Sequence, residues 1–178
     1  MLTQIGAELM DALSIKNPYA FDILTGAKPI EYRTWQPGNT TQFLLVSSQT
    51  PSTTDFGLGM ANGYALAIVQ ITAVSPHPDQ AGNYSWHVRP MMPITPFPVK
   101  GRLHFYEVNE TQIQRRPDLI PAMRAFLNNH TDPAGAAFKQ QIIDPLTQIG
   151  ITQMPQKYQR LFKATGSWRS VIQAWHQR

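Results

Sequence analysis

Cysteine is missing altogether from the 178 residues, which removes disulfide bonds, thiolate nucleophiles and cysteine-based zinc sites together. Charge is scarce as well, Asp, Glu, Lys and Arg making up 15% of the chain. No basic start followed by an apolar run marks a secretory signal, so a reducing, cytoplasmic setting is expected. The longest strongly apolar stretch, around Tyr64 to Ile71, falls far short of the roughly 20 residues that cross a bilayer, and no membrane span is expected. His77, His87, His104, His130 and His176 show neither a two-ligand helical spacing nor a His-Glu-x-x-His pattern. Neither a metal nor a cofactor is expected.

What is there suits a folded domain: 42% hydrophobic and 10% aromatic residues are ordinary globular usage. The length fits one full core plus an appended helical segment. Charge is unevenly spread: residues 1–110 carry six Lys/Arg against eight Asp/Glu, and residues 111–178 nine against three. Any attraction for phosphate therefore belongs mainly to the C-terminal part, although basic helix faces are also ordinary solvated surface.

Local patterns divide the chain at about residue 110. Ala12 to Lys16 alternates like a strand, Asn17 and Pro18 supply an N-cap and a first-turn proline, and Gly26 closes the helix that carries Tyr19, Ile23 and Leu24. Ile30 to Trp35 alternates again, with Glu31, Arg33 and Trp35 on one face and Ile30, Tyr32 and Thr34 on the other. Further β-rich runs cover Phe43 to Ser47, Tyr64 to Thr72, Ser85 to Arg89 and Leu103 to Val108. The prolines between Pro76 and Pro98 predict irregular connections. Beyond Glu110 the texture turns helical: Pro117, Pro133 and Pro155 open helices, Gly166 ends the third and Ser167 caps a fourth. The reading is α+β: a small mixed β-barrel with flanking helices over 1–110, then a helical extension over 111–178.

The run Ala-Leu-Ser-Ile-Lys-Asn-Pro-Tyr-Ala, followed by Ile-Leu-Thr-Gly-Ala-Lys-Pro-Ile-Glu-Tyr-Arg-Thr-Trp, resembles the ASCH domain of the PUA-like superfamily, reproducing its Gly-x-Lys-x-x-Glu-x-Arg motif as Gly26, Lys28, Glu31 and Arg33. The resemblance extends from about Ala12 to Glu110 and implies a PUA-like barrel with a pocket for a nucleobase, modified or not, or an RNA end. Residues 111–178 have no counterpart in it. Some small proteins of that kind are amidohydrolases acting on acylated cytidines, with a Thr where Glu31 stands here, so the nucleophilic hydroxyl is missing; a ribonuclease activity is also implied by the resemblance.

The residue types suit such a pocket. Arg33 can hold phosphate or a base edge with its planar fork, Lys28 adds a mobile charge, and Glu31 can accept from an exocyclic amine. Trp35, Tyr19 and Trp86 are the candidates for stacking on a base. The plainer alternative is a Glu31–Arg33 or Lys28–Glu31 ion pair pinning helix to strand. Should the chain be an enzyme, Lys28 with Glu31 or His87 would be the acid and base; Ser14 and Thr34 are the spare hydroxyls, Ser14 without an evident base and Thr34 facing away. The leading expectation is an RNA- or nucleotide-binding module. A nucleotide-processing hydrolase and a regulatory factor that recruits a protein through 111–178 are the other two. Gly57 to Gly63 is Gly-rich but lacks the ending of a phosphate loop, and reads as a turn able to act as a lid. Lys157, Arg160 and Lys163 recur at about a helical turn and can form a phosphate stripe.

Overall fold

The computed structural model describes residues 6–51 and 60–177; residues 57–59 of the Gly57 to Gly63 turn lie outside them. Six strands form one mixed sheet: β1 (Leu9–Ile15), β2 (Ile30–Arg33), β3 (Gln42–Ser47), β4 (Tyr64–Val74), β5 (Tyr84–Pro98) and β6 (Phe105–Asn109), in the order β2-β5-β4-β3-β1-β6. β1 runs parallel to β3 and every other pairing is antiparallel. The α+β class holds, but β2 and β6 stand at opposite ends of the order and the sheet is not closed by hydrogen bonds into a barrel. Trp35, just past β2, meets Phe105 of β6 with ring centroids 5.1 Å apart.

Both faces are covered, which is why β3 is buried from Phe43 to Ser47 without alternation. One face holds Leu13, Phe43, Leu45, Val69 and Trp86 under helix α1 (Tyr19–Leu24). The other holds Met10, Ala12, Leu44, Val46, Ile68 and Ile94, with Met91, Met92 and Phe97 of β5 packed over it. α1 starts at Tyr19 with Pro18, not Asn17, at its N-cap. Asn17 is 1% exposed and still serves the helix: its Oδ1 accepts from Phe21 N at 3.2 Å while its Nδ2 donates to Ala61 O and Asn62 Oδ1, each at 3.0 Å.

Proline did not interrupt β5. Residues 76–83 are irregular as expected, but Tyr84 to Pro98 form one 15-residue strand, with register shifts against β4 at Ala65/Ala67, Ile68/Val69 and Ile71/Ala73. Bulges and a nearly bare outer edge explain this, because a missing N–H there costs no ladder bond. Among the described residues, β2 pairs with Tyr84 to His87, Val88 N donates to Pro29 O at 2.9 Å, and beyond that the outer edge meets a bridge between Ile94 and Arg115. The expected strand from Leu103 likewise starts late, at Phe105, since His104 adopts a left-handed backbone (φ 57°).

The helical signals after residue 110 are realised. A 3₁₀ turn at Pro117 leads into α2 (Ile120–Asn128), one at Pro133 into α3 (Ala136–Phe138), a π-helical turn (Lys139–Ile143) and α4 (Asp144–Gln153). α5 (Gln156–Thr165) ends at left-handed Gly166, and Ser167 Oγ caps α6 (Trp168–His176) by accepting from Ser170 N. Leu119, Met123, Phe126, Phe138, Ile142 and Leu146 share the core of the sheet, whereas Met154, Tyr158 and Val171 form a separate small cluster between α5 and α6. Among the described residues no helix is long and apolar enough to cross a membrane.

Gly135 is where that packing is closest. A Cβ there would stand 2.8 Å from Phe126 N and 2.9 Å from its Cα, contacts with backbone that no rotamer change relieves. Gly135→Ala should lower stability by about 1–3 kcal/mol. A urea unfolding midpoint equal to wild type would mean the two helices part without cost.

Candidate functional site

The motif begins where α1 stops. Gly26 takes φ 80°, and a Cβ there would come within 3.1 Å of Leu127 in α2, so glycine answers both the turn and the neighbouring helix. His130 locks the same corner: its ring stacks on Phe126 at 4.4 Å and its Nε2–H donates to the buried Thr25 carbonyl at 2.8 Å. Lys28 N then donates to Asp22 O at 3.0 Å and delivers the chain to β2.

On β2 the expected alternation holds: Glu31 is buried, Arg33 and Trp35 half-buried, Tyr32 and Thr34 exposed. Glu31 sits between two cations. Lys28 Nζ lies 2.7 Å from its Oε2, and Arg33 Nε lies 3.0 Å from its Oε1, though its N–H is not aimed along that line. Lys28 Nζ also donates to the Ile30 carbonyl, and Arg33 Nη2 reaches the Ser14 carbonyl at 3.4 Å. Both ion pairs foreseen as the plainer alternative therefore exist. One carboxylate answering two cations leaves the cluster with an excess positive charge, at 20% and 23% exposure of the two cationic side chains. Excess positive charge beside a half-dry surface favours an anion.

The aromatic candidates separate. Trp35 lies between the sheet's ends, edge-on to Trp86 (4.9 Å), Phe105 (5.1 Å) and His104 (5.2 Å). Trp86 is fully buried, with its Nε1–H donating to the Trp35 carbonyl, so it floors Trp35 and offers no open face to a base. Its register opposite Glu31 turns it inward, and nothing local in the sequence announces that pairing. Tyr19 is exposed at the start of α1, with no contact to the cluster among the described residues. Two rings escaped the sequence reading: Tyr32, 51% exposed with Lys28 Nζ 5.5 Å from its ring centre, and His104, whose place beside Trp35 follows from its left-handed backbone.

Of the acid–base candidates, Lys28 and Glu31 are brought together at 2.7 Å, whereas His87 is not. His87 pairs across from Ile30, hence on the face opposite Glu31, and is exposed. Thr34 points to solvent as expected. Ser14 Oγ shares a hydrogen bond with Tyr106 OH at 2.8 Å, tight against Gly101, where a Cβ would meet Ser14 Oγ at 2.5 Å. Burial pushes the Tyr106 phenol above its ordinary value of 10.0, against the opposing pulls of the Ser14 hydrogen bond and of Arg102. Because the folded chain keeps that proton longer than the unfolded one, stability should fall as pH climbs past about 10. Tyr106→Phe should flatten that alkaline decline in urea midpoints; an unchanged slope would assign it elsewhere.

The tail's cations are partly spent: Arg115 pairs with Glu110, Arg116 with Asp118 and Lys139 with Asp144. The Arg116 hydrogen bond holds the Asp118 carboxyl below its ordinary value. Lys157, Arg160 and Lys163 all lie exposed on α5. No family model matches the chain, and no curated protein matches it.

Proposed function

We propose that the chain is an RNA- or nucleotide-binding module built on a PUA-like, ASCH-type domain, with Lys28 and Arg33 receiving a phosphate or base edge and Trp35 or His104 lying against the base. The single observation that carries this reading is the Lys28–Glu31–Arg33 cluster, two cations on one buried carboxylate. Its excess charge lies where the two ends of the sheet meet at Trp35 and Phe105, and side-chain closure of that kind supports the barrel-like reading. A charged pair beside rings suits single-stranded nucleic acid, whose bases stack while its phosphates pair. The hydrolase alternative draws less support, because both Glu31 oxygens already face cations and His87 lies on the other face of β2.

The test uses labelled single-stranded RNA with wild type and Lys28→Ala at two salt concentrations, scoring bound and cleaved fractions together. Binding should weaken steeply with salt and by about tenfold on loss of Lys28, the worth of one charge-assisted contact. Lys28-dependent cleavage would instead make the chain a ribonuclease. RNA binding indifferent to both salt and Lys28 would sink the module reading and bring a protein partner for 111–178 to the front.

A further inference from the structure

We propose a second anion site, whose cations are not those of the Lys28 cluster although Gly26 and Pro29 line it: a groove between β5 and α2 that takes a phosphate ester carrying a planar apolar body. The groove has a volume of about 570 Å³, within the range of small-ligand pockets. Arg89 stands on its sheet side and Arg124 on its helix side. No carboxylate lines it, and among the described residues neither arginine has an ion-pair partner. Arg89 is held in place: its Nε and Nη2 both donate to Gln70 Oε1, at 3.2 and 3.0 Å, which fixes the guanidinium while leaving its charge unanswered.

Two unpaired guanidinium forks on opposite walls match the several acceptor oxygens of a phosphate. The apolar part of the lining includes Val88, Met91, Met123 and Leu127, and Gln70 and Asn128 are its uncharged polar residues. Thioethers and a leucine form a polarisable surface that adapts to a flat ring, methionine sulfur being favourable against aromatic edges. A bare phosphate would leave that apolar surface wet, and an uncharged ring would leave both arginines unanswered. The ligand that satisfies both is a nucleoside phosphate, supplied either as a free mononucleotide or as one unit of an RNA chain. α2 supplies one wall of the site, so residues 111–178 would contribute binding residues and not only bulk.

Calorimetric titration of the full chain with adenosine 5′-monophosphate, adenosine, inorganic phosphate and a short single-stranded RNA tests this. Wild type, Arg89→Gln, Arg124→Gln and, as a charge control outside both sites, Lys139→Gln would be compared after equal melting temperatures confirm their fold. The expected result is monophosphate binding that is tighter than either half alone, about tenfold weaker in each arginine variant and unchanged in Lys139→Gln. RNA binding with the same arginine dependence but no binding of the monophosphate would assign the phosphate to a chain. Absence of binding by both, or binding that the two arginine variants retain in full, overturns the proposal. Because Arg89 and Arg124 are not part of the Lys28 cluster, failure of the Lys28 reading leaves this outcome separately readable.

Discussion

Replacing Glu31 by alanine is expected to destabilise the protein by about 3–5 kcal/mol, the cost of leaving buried charges without their counter-ion. The carboxylate is 8% exposed and stands between Lys28 and Arg33, each less than a quarter exposed. Its loss would leave an ammonium and a guanidinium facing one another across the space it filled. Lys28→Met should cost much less, since Glu31 and Arg33 would then balance as a pair. Adding Lys28→Met to Glu31→Ala should restore part of the loss, and a double-mutant cycle measures how much. A Glu31→Ala loss below about 1 kcal/mol in urea unfolding would show that solvent already screens the cluster.

Phe138→Ala should cost about as much, some 3–5 kcal/mol, by a different route: removal of a fully buried ring leaves a cavity. Phe138 belongs to α3, far along the chain from the sheet, yet it lies in the same cluster as Leu13, Phe43 and Trp86 and 5.4 Å from the Phe126 ring. The loss should therefore appear in the unfolding of the whole sheet. Far-UV circular dichroism and tryptophan fluorescence should move to a lower midpoint together. Two separated transitions, with only the helical one displaced, would overturn the idea of a shared core.

Much of this was legible because it depends on neighbours in sequence. The stop at Gly26, the faces of β2 with Thr34 turned out, and the punctuation by Pro117, Pro133, Pro155, Gly166 and Ser167 are set by residues a few positions apart. Three charges at spacings of three and two residues could hardly avoid meeting on a short strand. Long-range pairing was another matter. Trp86 disappears beneath Trp35 because it faces Glu31 across two strands, and periodicity within either strand says nothing of that register. The part of β5 beyond Arg89 reads as irregular because proline argues against a central strand, whereas the answer depended on which of its edges β2 leaves bare. The Arg89 and Arg124 walls lie on a strand and a helix whose approach no local pattern encodes.

The prolines of β5 carry one more consequence. An uncovered strand edge is ordinarily a template on which a second chain can add its own backbone, the first step toward fibrils. Pro90, Pro93, Pro96 and Pro98 lie along the half of β5 that β2 does not cover, and a proline has no N–H with which to recruit a stranger. The longest strand of the sheet is thus also its least adhesive, and substituting these prolines with valine would be felt first in aggregation at high concentration, before any change in how the monomer melts.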